Sequence, residues 1–502
     1  MGFLDRFLKT PSWGVHPVDH KRPAADMPLR IFPSPERVFM PLHQHVGGVA
    51  RPIVLVGQKV LKGQLIAEAQ GNISAPIHAP VSGTISAVGE VTAPHPSGLP
   101  FKAITIDSDG LDRWAAAEPL ADPFSAAPEE IARRSALAGV VGLGGATFPS
   151  AVKFALGKRL KVTTLIVNGG ECEPYLSSDD RIMRDFADQV IDGARIVMYA
   201  IGAKEALVGI EDNKPEAIEA MRKAAAPYPE VKICQVPTRY PMGSDKQLIQ
   251  TLTGKEVPSD ARAAEVGVLV HNVSTCAAVH KAIRLAQPLV ERIVTLNGGA
   301  IASPGNVYAP LGTMISELLA FVGLKEAPSR LILGGPMMGA PLLHDRIPIV
   351  KGASGILAFD AAEAFVPDAG PCIRCGNCTK ACPMGLLPLE MAARIRVGDL
   401  AGAEDYALSD CISCGCCAFV CPSHIPLVQY FSHAKGELTA NERMKLRTDA
   451  TKRLAEAKAA RIERENREKQ EAAARRKAER EAAKAASAPA GSVAEQTQGV
   501  SA

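Results

Sequence analysis

Between residues 31 and 110 the apolar positions come in short runs cut by glycine and proline, as in RPIVLVGQKVLKGQLIAEAQ and ISAPIHAPVSGTISAVGE. That spacing predicts β-hairpins. From 130 to 290 the pattern becomes an alternation. TTLIVNGG, EALVGIE, KICQV and GVLVHN read as buried strands, with helical stretches such as DQVIDGARIVMYAIG between them. Continuous apolar strands separated by helices predict a parallel sheet covered by helices. A further short β unit is expected at ERIVTLNGGAIASPGNVYAPLG, leading into the helix TMISELLAFVGL, and LLPLEMAARIRVGDLAGAEDYAL gives two amphipathic helical pieces. After about residue 440 large apolar residues almost vanish. Residues 443–485 hold 15 basic and 8 acidic side chains interleaved with alanine, which predicts a long solvated helix or a disordered arm, with binding to an acidic partner or membrane surface as the alternative.

A chain of 502 residues exceeds one core and should divide into three or more units. The pattern sets the boundaries as an N-terminal segment 1–30, an all-β unit 31–115, an α/β unit 125–290, a β unit 291–340, a linker 341–365, a cysteine-rich unit 366–432 and the charged tail 433–502. The net charge of +3 gives no reason to invoke nucleic acid. No apolar run reaches the length of a membrane span, and the opening MGFLDRFLKT is too short and too charged for a secretory signal, so the chain is expected on the cytoplasmic side. Phe3, Leu4, Phe7 and Leu8 share one helical face, suited either to a short membrane or partner anchor or to a helix packed on its own domain.

Of 12 cysteines, 9 fall between Cys372 and Cys421, the spacing of metal ligands in a reducing compartment. PCIRCGNCTKACP and DCISCGCCAFVCP both follow C-x2-C-x2-C-x3-C-P. Two-cluster ferredoxins take three ligands from one run and the fourth from the other. By that rule Cys372, Cys375, Cys378 and Cys421 hold one [4Fe-4S] cluster, and Cys411, Cys414, Cys417 and Cys382 the second. Zinc would take two pairs spread over a longer loop. Cys416 is left as a spare thiol, and Cys172, Cys234 and Cys276 as buried thiols, with Cys172 the one most exposed to redox chemistry.

GVVGLGGATFPSAVK, residues 139–153, is a glycine-rich loop running into a helix with a lysine. Glycines let backbone approach a phosphate, and helix N-terminal amides with a lysine neutralise it. The loop matches neither G-x-G-x-x-G nor the Walker pattern. Next, VNGGECEPYLSSDDRIM ends a strand in Asn168, Glu171 and Glu173. Strand C-termini are where open parallel sheets bind ligands, and these acids could accept hydrogen bonds from ribose or nicotinamide groups. They could equally cap the next helix. The turn GGPMMG at 334–339 suits a place beside a cofactor or a tight packed turn alike.

G-x-G-G-x-x-F-P-x-x-x-K followed by N-x-x-E-x-E-P resembles the flavin and NADH site of the NADH-oxidising subunit of respiratory complex I. YPMGSDKQLIQTLTG is similar to that family's glycine-acid-acid segment, LVHNVSTCAAV to its asparagine-rich segment under the flavin, and residues 291–323 to the soluble-ligand-binding (SLBB) β-grasp domain that follows. The hairpins of 31–110 resemble the barrel-sandwich of biotinyl and lipoyl carriers, yet no lysine lies between Lys62 and Lys102, so this unit is read as scaffold. Together with the cysteine runs and the tail, these features resemble the C subunit (RnfC/RsxC) of the Rnf (Rsx) ion-translocating oxidoreductase complex along essentially the whole chain. The fold class implied is multidomain α/β: barrel-sandwich, Rossmann-like flavin domain, β-grasp domain, α-helical two-[4Fe-4S] ferredoxin domain and tail.

The resemblance implies that Gly142, Gly144, Gly145 and Lys153 cradle the FMN phosphate, that Asn168, Gly243, Asp245, His271, Asn272 and Thr275 line the flavin, and that Phe148 stacks on NADH. Glu173, with Glu171 beside it, would bind the polar groups of NADH. Leu143, Gly170, Ser244 and His271 depart from the residues usual in complex I subunits: arginine, an acid, glutamate and asparagine. The implied role is that of a peripheral, NADH-oxidising subunit at the cytoplasmic face of the bacterial inner membrane. It would pass electrons through FMN and two [4Fe-4S] clusters to the membrane and iron-sulfur subunits, and so to a ferredoxin or similar acceptor, with Na+ or H+ moved by other subunits. No general acid or base is required. A soluble reductase similar to cobalamin reductase, and a cluster-bearing adaptor with a vestigial nucleotide site, are the alternatives.

Overall fold

The computed structural model describes residues 12–487; the apolar face at Phe3–Leu8 lies outside them. The chain forms two compact units, residues 1–431 and 432–502.

In the first unit, Arg37–Pro41, Pro100–Ser108, Gly83–Thr92 and Lys59–Val60 form one antiparallel sheet, and Arg51–Pro52, Leu65–Glu68 and Ile77–His78 a second. Val38, Met40, Ile66, Ile77, Ile85, Ile104 and Ile106 are buried between them, as alternating side chains of two facing sheets must be.

The four strands expected between 130 and 290 are present as Thr164–Gly169, Glu205–Glu211, Val231–Val236 and Val268–Asn272. They are all parallel, and Thr164–Gly169 is flanked by Glu205–Glu211 and Val268–Asn272. Helix Ala187–Ile201 buries Val190, Ile191, Ala194, Val197, Met198 and Ile201, one apolar stripe at helical spacing, and stops at Gly202 with φ +75°. It crosses helix Val273–Arg284 so closely that a Cβ at Gly193 would lie 1.9 Å from the Cys276 carbonyl oxygen. That close approach fixes the helix whose first turn borders the candidate site.

The fourth sheet, of six strands, corrects the expected boundaries. Its order is Arg30–Ile31, Gly305–Pro310, Glu291–Asn297, Gly355–Phe359, Arg330–Leu333 and Ala340–Leu342. The stretch 341–365 is therefore no linker. Every residue of Gly355–Phe359 is buried, and the strand pairs parallel to Glu291–Asn297 on one side and antiparallel to Arg330–Leu333 on the other. The end of the expected N-terminal segment 1–30 also joins this sheet, with Arg30–Ile31 forming an edge. Helix Ile315–Val322 packs Leu318, Leu319 and Val322 on Val294, Leu296 and Val307.

The cysteine-rich segment is helical, with Asn377–Ala381, Pro388–Arg396, Leu400–Glu404 and Cys416–Phe419. A helix then runs over Leu427–Ala486. In the second unit residues 441–487 are exposed throughout. Alanine propensity and pairs such as Arg475–Glu479 at 3.2 Å support that helix. No helix among the described residues is long and apolar enough to cross a membrane.

Candidate flavin and iron-sulfur sites

The loop after Val141 folds back on itself: the Gly142 N–H donates to the Phe148 carbonyl at 2.8 Å, and the Thr147 N–H to the Gly142 carbonyl at 3.1 Å. Gly144, Gly145 and Ala146 at its tip are exposed. Gly145 has φ +108°, and a Cβ added there would meet nothing within 4 Å, so the tip is open backbone beside free space. Thr275 anchors the loop by accepting the Leu143 N–H at 2.8 Å. Leu143, where complex I subunits usually carry arginine, is buried against Ala75, Val141 and Leu289.

Around this loop the structure gathers most of the residues the sequence singled out. Asn168 ends its strand and donates to the Gly243 carbonyl at 2.8 Å while accepting the Gly170 N–H. Gly243 is required: a Cβ would lie 2.1 Å from the Gly170 carbonyl oxygen. Asn272 caps helix Val273–Arg284 through the Ser274 N–H and donates to Asp179 at 2.6 Å. Lys153 donates to the Val270 carbonyl at 3.0 Å. Burial lowers its pKa, while Asp245, at the start of helix Asp245–Thr253, opposes the shift. His271 is buried and stacked on Phe154, with both ring nitrogens lacking a hydrogen-bond partner. Burial, then the Lys153 charge, hold it neutral. An orphaned imidazole near Lys153, and an open glycine loop running into the helix that carries Lys153, fit a ligand with polar and phosphate groups.

The two acids have protein partners of their own. Glu171 spends its oxygens on Ser178 Oγ and the Asp179 and Asp180 N–H groups, capping helix Ser178–Asp185. Of the two readings open in the sequence, the structure selects the helix cap for Glu171. Glu173 accepts the Met337 and Met338 N–H groups at 3.0 and 2.8 Å, so it anchors the GGPMMG turn. Cys172 accepts the Gly243 N–H, and burial pushes its pKa up, which opposes the expected redox sensitivity.

Burial raises the Glu173 pKa from 4.5 to about 7, against the two amides that lower it. The folded chain then holds an extra proton between about pH 4.5 and pH 7, so this group's contribution to stability is lost as pH rises through that window. Glu173→Gln is expected to remove a slope worth up to about 3 kcal/mol, read as an unfolding midpoint that no longer falls across that range.

Three contributors escaped the sequence reading. Lys21 is buried, and its ammonium donates to the Glu171, Glu173 and Leu176 carbonyls at 2.8, 2.9 and 2.5 Å. Asp179 accepts from Asn272 and Ser274, and Arg292 reaches the Leu143 and Lys351 carbonyls. Only Asp179 left a signal, in the SSDD run directly after the acids.

Cys382, Cys411, Cys414 and Cys417, together with Cys416, line one pocket with ≈ 340 Å³ of empty space, its mouth included, walled by residues including Leu386, Met391, Ile412 and Phe431. The run 371–383 thus sends its last cysteine to the other run's three. At the other end, the Gly370 N–H donates to the Ser423 carbonyl at 2.9 Å, which draws the chain next to Cys372 toward the chain next to Cys421. Cys372 and Cys375 are exposed. Among the described residues no group of three or more Cys, His, Asp or Glu is spaced to hold a single metal ion. A zinc site, with Zn–S of about 2.3 Å, would draw its sulfurs tightly together, whereas a cubane spreads four cysteines over four irons. The quartet around a pocket fits the cubane.

This quartet packs on the flavin-side loop. Tyr240, three residues before Gly243, donates to the Cys414 carbonyl at 2.5 Å. Gln247 donates to the Pro383 carbonyl at 3.1 Å and the Gly14 N–H to the Ala381 carbonyl at 3.0 Å. Cys416, the spare thiol, is buried against Tyr240.

Comparison with known proteins bears on each part. Residues 136–281 match the Nuo51 FMN-binding domain, residues 9–111 the RnfC barrel sandwich hybrid domain, and residues 371–425 a 4Fe-4S dicluster domain. The cofactors of the chain are accordingly FMN and 4Fe-4S clusters. A protein of Rhodobacter capsulatus, named as the C subunit of an ion-translocating oxidoreductase complex, is 52% identical over 435 residues, covering 86% of this chain and 84% of that one. Its namesake in Pseudomonas aeruginosa is 47% identical over 89% of this chain and 58% of its own length. Among solved structures, a chain of an NAD+-reducing [NiFe]-hydrogenase in the H2-reduced state is 18% identical with a TM-score of 0.45, covering 65% of this chain and 69% of that chain.

Proposed function

The chain belongs to the RnfC family, the C subunits of ion-translocating oxidoreductase complexes, and on that premise we propose that it is the NADH-oxidising, peripheral subunit of such a complex. In this reading electrons pass from NADH by way of FMN and two [4Fe-4S] clusters to the membrane and iron-sulfur subunits. A ferredoxin or similar carrier is the final acceptor, Na+ or H+ crosses through other subunits, and the chain sits at the cytoplasmic face of a bacterial inner membrane.

The observation that carries this reading is the loop 240–245, which serves both sites: Gly243 is held by Asn168, while Tyr240 holds Cys414. When bound, FMN supplies the exchange between a nicotinamide's electron pair and one-electron carriers. The residues do the positioning. The open backbone of 144–146 and the N-terminus of helix Ser150–Arg159, with Lys153, suit the phosphate. Neutral His271 offers its unpartnered ring. Asn168 and Asn272, engaged by Gly243 and Asp179, shape the floor. The Met337–Met338 turn held by Glu173 closes the side toward Cys172. Hydride transfer asks no proton of the protein, and no acid or base is assigned.

The test is an anaerobic NADH titration of cluster-reconstituted, FMN-loaded protein, following flavin bleaching by absorbance and cluster reduction by electron paramagnetic resonance. Both signals are expected together. Lys153→Met should weaken FMN retention about tenfold or more, the worth of one charge-assisted hydrogen bond, with iron content unchanged. FMN that binds and stays oxidised under NADH would sink the NADH reading and favour another donor; failure to retain FMN at all would favour the adaptor.

A further inference from the structure

Helix Val273–Arg284 carries Thr275, which anchors the flavin loop, and further along it Ala277, Ala278 and Lys281 line a separate cavity. With its open mouth counted, this cavity has ≈ 610 Å³ of empty space. It lies where three parts of the fold meet: Trp114 from the end of the barrel-sandwich, Phe186 and Gln189 from the α/β domain, and Glu291, Arg292 and Tyr308 from the six-stranded sheet. Neither the flavin nor the cluster chemistry uses it.

Its polar groups are few and incompletely matched. The Lys281 ammonium donates to the Tyr308 hydroxyl at 2.8 Å and lies over the rings of Phe186 and Tyr308, 5.7 and 4.9 Å from their centroids. That hydrogen bond occupies one of its three donors. The Glu291 oxygens accept from Tyr308 at 2.7 Å and Lys62 at 2.6 Å. Burial is also the largest influence on Lys281 and lowers its pKa. Gln189 Oε1 is buried with no hydrogen-bond partner, an arrangement that costs free energy unless a donor arrives. Glu291 is ion-paired to Lys62, and Arg292 lies in the field of Asp179. The walls between these groups are apolar: Ile182, Leu289 and Ile293.

We propose that this cavity is a binding site for a small monocarboxylic acid with a flat apolar body, its carboxylate on Lys281, its body between Phe186, Leu289 and Ile293, and a hydroxyl or N–H donor on Gln189 Oε1. An uncharged ligand would leave the ammonium's free donors unanswered. The occupant would touch Leu143, the residue before Gly144 of the flavin loop.

Isothermal titration calorimetry on the full-length protein with its flavin and clusters in place tests this, with hydroxynaphthoate as probe. Naphthol serves as the analogue lacking the carboxylate, and naphthoate as the one lacking the hydroxyl. Saturable one-site binding of hydroxynaphthoate is expected, weakened about tenfold or more by loss of the carboxylate or by Lys281→Met, and several-fold by loss of the hydroxyl or by Gln189→Met. Flavin content and far-ultraviolet circular dichroism identify variants that fold. If Lys281→Met does not fold, the three probes on the unaltered protein decide. Absence of saturable binding, equal binding of naphthol and hydroxynaphthoate, or binding indifferent to both substitutions in folded protein would overturn the assignment.

Discussion

Cys382→Ser is expected to remove the same cluster as Cys417→Ser, with iron falling from about eight to about four atoms per chain in each case. Cys378→Ser should remove the other cluster, with a different residual paramagnetic spectrum. Adjacency in sequence predicts the opposite grouping, because Cys382 stands four residues after Cys378 in its own run. The fold supports the cross-over: Cys382 shares its pocket with Cys411, Cys414 and Cys417, and with Cys416. Cys416→Ser, one residue from a ligand, should leave iron unchanged, since its sulfur is directed to the Tyr240 carbonyl at 3.9 Å. The effect of a ligand change is large because the thiolates have no protein counter-charge in the pocket: its lining contains no lysine, arginine or histidine. Identical spectra for Cys382→Ser and Cys378→Ser would show that each run holds its own cluster and reject the crossed ligation.

What could be read from the sequence was whatever is encoded locally. Both cysteine runs carry their ligand spacing within thirteen residues, and the crossed pairing follows from a rule about how two such runs fold together. The four strands of the flavin domain were legible because central parallel strands are apolar on both faces. Gly355–Phe359 has the same apolar character, but its parallel partner lies some sixty residues earlier, and nothing local distinguishes a five-residue apolar strand from a turn within a linker. The roles of the acids were not legible for another reason. A carboxylate that caps a helix and one that awaits a ligand are the same residue type at the same strand end, and only the partners of Glu171 and Glu173 separate them. Lys21 was invisible because its importance comes from three carbonyls about 150 residues away.

Those carbonyls belong to a buried charge cluster behind the strand ends, and the other large expected effect lies there. Glu211 ends the strand next to Thr164–Gly169, and Lys214 begins the following helix. Their side chains are 1% and 2% exposed, with Nζ and Oε2 2.6 Å apart. Lys214 also donates to Asn213 Oδ1 at 3.0 Å, whereas Glu211 Oε1 has no partner. Lys21 and Glu171 complete a set of two cations and two anions whose fields reach one another. Lys214→Met keeps the apolar stem but leaves the Glu211 carboxylate buried beside no cation of its own, and the set one charge short. Breaking a buried pair from one side costs about 3–5 kcal/mol, so the flavin domain should unfold about 10 °C lower or more at neutral pH. Adding Glu211→Gln should restore most of that loss, because the remaining Lys21 and Glu171 balance each other and the desolvation of a charged pair is no longer required. A double variant as unstable as Lys214→Met alone would mean that packing, and not an unpaired charge, sets the cost. The location gives the pair its functional weight. Lys21 holds the carbonyls of Glu171 and Glu173 and Glu171 caps helix Ser178–Asp185, which carries Asp179, the acceptor for Asn272. Loosening this cluster should therefore weaken FMN retention together with stability, whereas the cysteine changes should lower iron alone.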